Sequence, residues 1–270
     1  MSYSADDLRR LRTETFLREV EHHADIGSTN DRALALCGVE NLPAPYLILA
    51  ERQTAGRGRG VNRWWSSDGA LLFSVIIDAN EYALPESRWP QISLTAGVAV
   101  CEVLDFLTRG QGESPQLRSH TVGLKWPNDV WLNNRKACGI LVEVPHARCG
   151  RLVIGIGLNV NNSFESAPAE LQLIATSLSD ETGSTFDRTT VLTALLRQLD
   201  QDLKRLADAD VSLVERWQSR CVLRDRVVSL DLGQRMVAGL CLGIAADGAL
   251  MLRTPAGEQR FYGGVIRRIE

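Results

Sequence analysis

The sequence has 270 residues, room for one large domain and a small one at roughly 150 residues per domain. Hydrophobic residues at 44% and charged residues at 23% exclude a disordered chain, and 22 glycines with 9 prolines exclude a collagen-like one. A net charge of −3 shows no overall basic excess of the kind nucleic-acid-binding domains carry. No run approaches the roughly 18 uncharged apolar residues of a membrane span. Met1 to Glu21 is polar and lacks a signal-peptide core, so a cytoplasmic protein is expected.

In chain order, residues 5–20 read as helical or irregular, with Leu8, Leu11 and Phe16 as apolar points. Gly27-Ser28-Thr29-Asn30-Asp31 opens a helix that ends near Gly38, since a hydroxyl N-cap and an early acid both favour that start. Pro45–Ala50 is a short apolar strand. Gln53–Arg63 is a loop of glycine and arginine, and Ala70–Ile77 is a strand buried on both faces. Trp89–Thr108 is a long, mostly buried helix, and Gly110–Ser119 a polar surface loop. Val122–Trp126 and Asp129–Leu132 are strands, and Asn133-Asn134 turns a hairpin into Lys136. Gly139–Val144 and Leu152–Val160 are apolar strands joined by a turn at Arg148–Gly150. Short helices follow at Ser177–Glu181 and Val211–Gln218, flanking an amphipathic one at Arg188–Leu206. From Arg224 the texture changes to five short strands, Val227–Leu230, Met236–Ile244, Ala249–Leu252, Gln259–Tyr262 and Val265–Ile269. Asp247-Gly248 is a hairpin signal among them. The expected division is therefore 1–222 and 223–270, the second a small β-barrel packed on the first because so small a core is marginal alone.

Only three of the 30 basic residues are lysine, Lys125, Lys136 and Lys204, which leaves 27 arginines. Codon bias explains most of that. Two lysines within 12 residues still point to a place where a compact ammonium is wanted. The six cysteines, Cys37, Cys101, Cys138, Cys149, Cys221 and Cys241, show no C-x-x-C pair, and the four histidines no metal pattern. The cysteines are expected to be reduced core thiols.

Four segments carry candidate chemistry. Glu51–Gly60 (ERQTAGRGRG) sets glycines, which let backbone N–H groups approach an anion, beside arginines, which offer forked donors. It matches neither a P-loop nor G-x-G-x-x-G. It reads as a phosphate-binding loop, an oligonucleotide-binding loop or a plain surface turn. Lys125–Asp129 (KWPND) puts polar groups at a bend beside buried strands, where they bind either a ligand or one another. Gly155–Asn161 (GIGLNVN) bares one strand face, for a flat ligand or for a crowded helix contact. Ser28-Thr29-Asn30 is at least a good helix cap.

Together and in this order, these segments closely resemble the biotin protein ligases. The matching residues are GSTN at 27–30, ERQTAGRGRG at 51–60, Trp64 and Ser66, KWPND at 125–129, RKACGILVE at 135–143 and GIGLNVN at 155–161. The resemblance covers about residues 20–270, and it implies an α+β fold: a mixed-sheet catalytic domain with a C-terminal barrel of the Src-homology-3 type. The implied activity joins biotin to one lysine of a biotin carboxyl carrier domain, through biotinyl-5′-AMP made from ATP, with Mg²⁺ assisting.

The resemblance also implies roles. Ser28, Thr29, Asn30, Gln53, Gly56, Arg57, Lys136 and Gly139 would hold biotin. Arg57, Gly58, Arg59, Trp64, Asn128, Lys136 and Asn159 would hold the nucleotide. Lys136, Arg57 and Asp129 would carry catalysis, with Asp129 orienting or deprotonating the incoming amine, and Gly139 and Gly157 would leave room. The loop would order on binding. The ligands of the metal stay unknown. One departure stands out: Val61-Asn62-Arg63 replaces the G-R-K before the tryptophan of many bacterial members, so Asn62 stands where a phosphate-contacting arginine is expected. Some members begin with a helix-turn-helix of about 60 residues. Only about 20 precede GSTN here, so no DNA binding is expected. The sequence leaves open whether the protein is a homodimer. The competing readings are a lipoate or octanoate ligase or transferase of the same fold, and a non-catalytic biotin-sensing module.

Overall fold

The computed structural model describes residues 2–108, 120–145, 150–165 and 167–270. Helix α1 (Ala5–Glu14) leads into β1 (Glu19–Ile26), α2 (Thr29–Leu36), β2 (Tyr46–Gln53) and β3 (Leu71–Asp78). A 3-10 turn (Glu86–Gln91) runs into α3 (Ile92–Thr108). Strands β4 (Val122–Lys125), β5 (Asp129–Leu132), β6 (Arg135–Glu143) and β7 (Arg151–Leu158) follow. Then come α4 (Ala169–Ile174), α5 (Leu178–Thr182), α6 (Arg188–Ala207) and α7 (Val211–Arg220). The seven strands form one sheet in the order β1-β2-β3-β7-β6-β5-β4. Only β1 and β2 run parallel; the other neighbours are antiparallel.

The sheet separates two apolar layers. Leu47, Leu49, Phe73, Ile154 and Ile156 face the main core with α3 and α6. Ile48, Ile76 and Val153 face α2 through Ala33 and Cys37. Strand alternation therefore puts Ser74, Gly155, Gly157 and Gly139 on the α2 side, away from the main core. The 3-10 turn and α3 together, Glu86–Thr108, are long and apolar enough to cross a membrane, and 67% of that stretch's most apolar window is buried in this core. The five described cysteines are all buried.

The expected hairpin at Asn133-Asn134 is present, with φ of 49° and 64° at the two asparagines, the double left-handed turn that short hairpins need. Two elements depart from expectation. Glu19–Ile26 is a strand that its composition (EVEHHADI) hides: it is half-buried at the sheet edge, with only Val20 and Ile26 packed against the apolar clusters and Glu21 paired with Arg32. Helix α4 is six residues long with no buried side chain, so it leaves no apolar pattern to read. The Gly110–Ser119 loop lies outside the described residues. So does the Arg148–Gly150 turn except for Gly150, whose φ is +69°.

Strands β8 (Val227–Asp231), β9 (Met236–Ile244), β10 (Leu250–Thr254), β11 (Gly257–Phe261) and β12 (Val265–Ile269) appear where the sequence placed them. Their order is β11-β10-β9-β8-β12. The five-stranded antiparallel sheet is consistent with the expected Src-homology-3 type, but it is not a closed barrel: β12 pairs with β8, and β11 and β12 remain the two edges. Closure is unnecessary because Leu230, Cys241, Leu250 and Leu252 join the main core. Trp126, 2% exposed, also donates its indole N–H to the Gly248 carbonyl at 3.0 Å across the junction.

Candidate active site

A cleft of about 550 Å³ opens on the α2 side of the large sheet. That is the size range of small-molecule sites. Five cations line it, Arg57, Arg59, Arg63, Lys125 and Lys136, against two acids, Asp129 and Asp231. In a chain of net charge −3, this local surplus favours an anionic ligand.

The floor is glycine. Gly139 on β6 pairs with Gly157 on β7. A Cβ on Gly157 would meet Trp64 Cε2 at 2.5 Å, and one on Gly139 would meet Trp64 Cζ3 at 2.8 Å. The indole of Trp64 therefore lies flat over the bare pair. Its N–H is buried without a hydrogen-bond partner in the structure. At Gly155 the space is taken by Asn30, whose Oδ1 would lie 1.8 Å from a Cβ there. The helix-contact reading of the alternating glycines is thus met at Gly155, while at Gly139 and Gly157 the space expected to be left for a flat ligand is taken by the protein's own Trp64 indole.

One end of the cleft is the start of α2. Ser28 caps it, its Oγ accepting from Asp31 N. Thr29 donates to Gln53 Oε1 from its backbone N–H at 2.7 Å and from its hydroxyl at 3.2 Å. Ser74 Oγ sits 2.8 Å from Thr29 Oγ1 and 2.6 Å from Asn30 Oδ1. These groups make a small, densely polar wall.

The loop after β2 is a folded hairpin rather than an open turn. Gly58 N–H donates to Asn62 O at 2.9 Å and Trp64 N–H to Gly56 O at 3.0 Å. Asn62 closes its tip by donating to Arg59 O at 3.0 Å, so this residue shapes the loop. Gly56 is not on the cleft wall; it lies beneath the loop, where a Cβ would stand 2.7 Å from Trp64 O. Arg57 pairs with Asp31 and with Glu143. Partial burial works against its charge, but those two carboxylates outweigh it and raise its pKa further. Burial lowers the Arg59 pKa, against the attraction of Asp129.

Lys136 reaches the cleft through an irregularity. Simple alternation along β6 would place it on the face of Cys138 and Ile140, which point into the main core. The β5–β6 register skips Ala137, pairing Cys138 with Val130 but Lys136 with Trp131. Such a bulge re-aims the side chain before it. Lys136 Cε accordingly lies 3.3 Å from where a Gly139 Cβ would be. Its Nζ is 2.6 Å from Asp129 Oδ1 and 5.5 Å from the Trp64 ring centre. Asn128 clamps the KWPND corner to β6: its Nδ2 donates to Ile140 O at 2.8 Å, and Ile140 N–H donates back to Asn128 O at 3.0 Å. Asn159, 1% exposed, donates to Thr176 O at 3.0 Å. Lys125 stands on the wall with its ammonium 5.1 Å from the Trp131 ring, and burial lowers its pKa.

Every site residue proposed from the sequence, Gly56 apart, lines this one cleft. Sequence reading missed Ser74, Asp31 and Glu143 as partners, the α4 residues Leu171 and Ile174, and two loops of the second sheet at Asp231–Gly233 and Gly264–Ile266. Lys125 alone carried a signal, as a lysine kept in an arginine-rich chain. Among the described residues no group of three His, Cys, Asp or Glu side chains could hold a metal.

Residues 24–161, the segment that builds the floor, the loop and the bulge, match the model of the biotin/lipoate A/B protein ligase family. The chain belongs to that family. It is 32% identical over 266 residues to the bifunctional ligase/repressor BirA of Bacillus spizizenii, covering 93% of this chain and 74% of that one. It is 29% identical over 247 residues to the biotin–[acetyl-CoA-carboxylase] ligase of Paracoccus denitrificans, covering 88% and 98%. Among solved structures, the biotin protein ligase of Aquifex aeolicus in complex with biotin and ATP superposes with a TM-score of 0.78 at 29% identity, covering 94% of this chain and all of that one. The family's mixed-sheet architecture is the one described above.

Proposed function

We propose that this protein is an ATP-dependent ligase that activates biotin as biotinyl-5′-AMP and transfers it to a lysine of a carboxylase's biotin carboxyl carrier domain. The observation that carries the reading is the convergence of a folded Gly/Arg loop, a glycine floor and a bulge-aimed Lys136 on one cation-rich cleft. Residues 1–222 form the catalytic unit in this reading and 223–270 the small one.

The polar wall at Ser28, Thr29, Asn30 and Gln53 suits a ureido head, which needs both donors and acceptors. A lipoyl dithiolane ring needs neither, so the wall favours biotin. Biotin's chain then runs over the Trp64 indole, which covers Gly139 and Gly157, toward Lys136. In the first step a carboxylate oxygen of biotin attacks the α-phosphorus of ATP, and the bond to pyrophosphate breaks. In the second the carrier amine attacks the acyl carbon, the bond to AMP breaks, and the amine's proton passes to Asp129. Both steps load negative charge on oxygens beside Lys136, where fixed donors act most strongly in a water-poor site. Arg57 and Arg59 add positive charge along the loop, and Trp64, Asn128 and Asn159 shape the nucleotide end. Mg²⁺ bound with the triphosphate would shield its charge; the two acids of the wall, Asp129 and Asp231, are too few to cage it, so the phosphates and water would hold it, as suits a cation that keeps most of its water.

Incubation with biotin, MgATP and a carrier domain tests this. Pyrophosphate release and addition of one biotinyl mass to the carrier are expected. No transfer with biotin, or faster transfer of lipoate, overturns it.

A further inference from the structure

Glu143 ends β6 on the same face as Gly139, and the chemistry above does not use it. Its two carboxylate oxygens serve two parts of the site. Oε1 accepts from Arg57 Nη2 on the loop at 2.5 Å. Oε2 accepts from Asn30 Nδ2, in the first turn of α2, at 2.8 Å. Asn30 is 5% exposed and fixed from every side: Nδ2 also donates to Leu141 O at 3.2 Å, Oδ1 lies 2.6 Å from Ser74 Oγ, and the side chain fills the gap above Gly155. Asp31, in the same helical turn, takes the other terminal nitrogen of Arg57. One guanidinium thus fastens the inner flank of the loop to a central strand and to the helix that forms the polar wall.

We infer that Glu143 is a positioning residue that latches the loop of residues 53–64 shut over the cleft and couples its closure to the helix end beside the bound head group. The inference rests on the proposed ligase reading and deepens it. The latch is chemically strict. Arg57 and Asn30 both offer N–H groups, so the residue between them must accept on two oxygens. Glutamine in its place would aim an NH₂ at one of the two donors. Aspartate, one methylene shorter, cannot span both. A shut loop matters because the intermediate is a mixed anhydride that is lost to water, or to solution, once the cover lifts.

The test compares the full-length wild type with Glu143→Gln and with Asp31→Asn. Asp31→Asn removes one pair from a side chain 56% exposed on the helix surface and leaves Asn30 untouched. Each protein is loaded with biotin and MgATP without carrier, and the escaping adenylate is measured by rapid filtration and mass spectrometry. In parallel, ligand-free protein is treated with trypsin, and cutting after Arg57, Arg59 and Arg63 is timed. The melting temperature reports the fold. Glu143→Gln should release adenylate about tenfold faster, the scale expected for losing a charge-assisted hydrogen bond, and its loop should be cut sooner. Asp31→Asn should move both readings the same way by less. Wild-type release and cutting rates in both variants overturn the latch. If Glu143→Gln fails to fold, Asp31→Asn decides alone. If the wild type makes no adenylate, the ligase reading fails, and the trypsin comparison still judges the latch.

Discussion

Replacing Gly157 by alanine adds one methyl group to the floor of the cleft. That carbon would stand 2.5 Å from Trp64 Cε2 and 2.8 Å from its Cζ2 and Nε1. Ordinary carbon contacts are about 3.5–4.0 Å, so either the strand or the indole has to withdraw by about 1 Å. The strand cannot, because Gly157 is paired with Leu72 on one side and Gly139 on the other, in the middle of a seven-stranded sheet. Trp64 sits on a loop held to itself by three backbone bonds, so the ring moves. Overpacking a rigid core costs about 1–3 kcal/mol; a loop that yields should hold the loss near 1 kcal/mol, a few degrees in Tm. The larger effect falls on binding, since the displaced indole enters the space the ligand needs. Calorimetry should show biotin and ATP affinities lowered at least tenfold, about 1.4 kcal/mol. Gly38→Ala, where nothing lies within 4 Å of the new carbon, is the control. Wild-type affinity in Gly157→Ala would refute the account of the floor.

Lys136→Ala should slow single-turnover pyrophosphate release by roughly 2–4 kcal/mol of barrier, the usual size for one donor aimed at developing charge. An unchanged rate would show that the amine has no part in the chemistry. Stability in acid should depend on Glu21, whose carboxyl is held at about 2, first by hydrogen bonds from Arg32, then, against some burial, by His23 and Tyr46. Its folded form binds protons less readily than the unfolded chain, so its contribution is whole above pH about 4.5 and drains as pH falls toward 2. In urea unfolding at a series of pH values, Glu21→Gln should therefore flatten the acid limb. A limb as steep as the wild type's would assign acid sensitivity elsewhere.

The sequence revealed the central strands because burial on both faces leaves continuous apolar runs, as in Leu71–Ile77. It revealed the site through the resemblance, since each motif alone also suited a plain turn, cap or helix contact and only their joint order pointed to one cleft. It hid β1, whose edge position is secured by backbone pairing and by Glu21 bonding Arg32, neither of which needs an apolar face. The aim of Lys136 was also beyond reach, since one skipped residue at Ala137 decides it and no residue type marks the skip. The open second sheet was missed for a related reason. Strand patterns show five strands, whereas closure depends on which edges meet, and here Leu230 and Leu252 find their cover in the larger unit. Glu143 looked like the polar end of an apolar strand until Arg57 and Asn30 were seen to converge on it.

The proposed chemistry requires a reactive anhydride lying beneath the loop, on the Trp64 indole that covers the glycine floor. A crystal structure with a non-hydrolysable biotinyl-adenosine analogue measures this directly. The account predicts the Lys136 ammonium within about 3 Å of the analogue's linking oxygens and residues 53–64 lying across it. An analogue bound elsewhere, or one bound here with Lys136 still on Asp129 and the loop turned away, would contradict it.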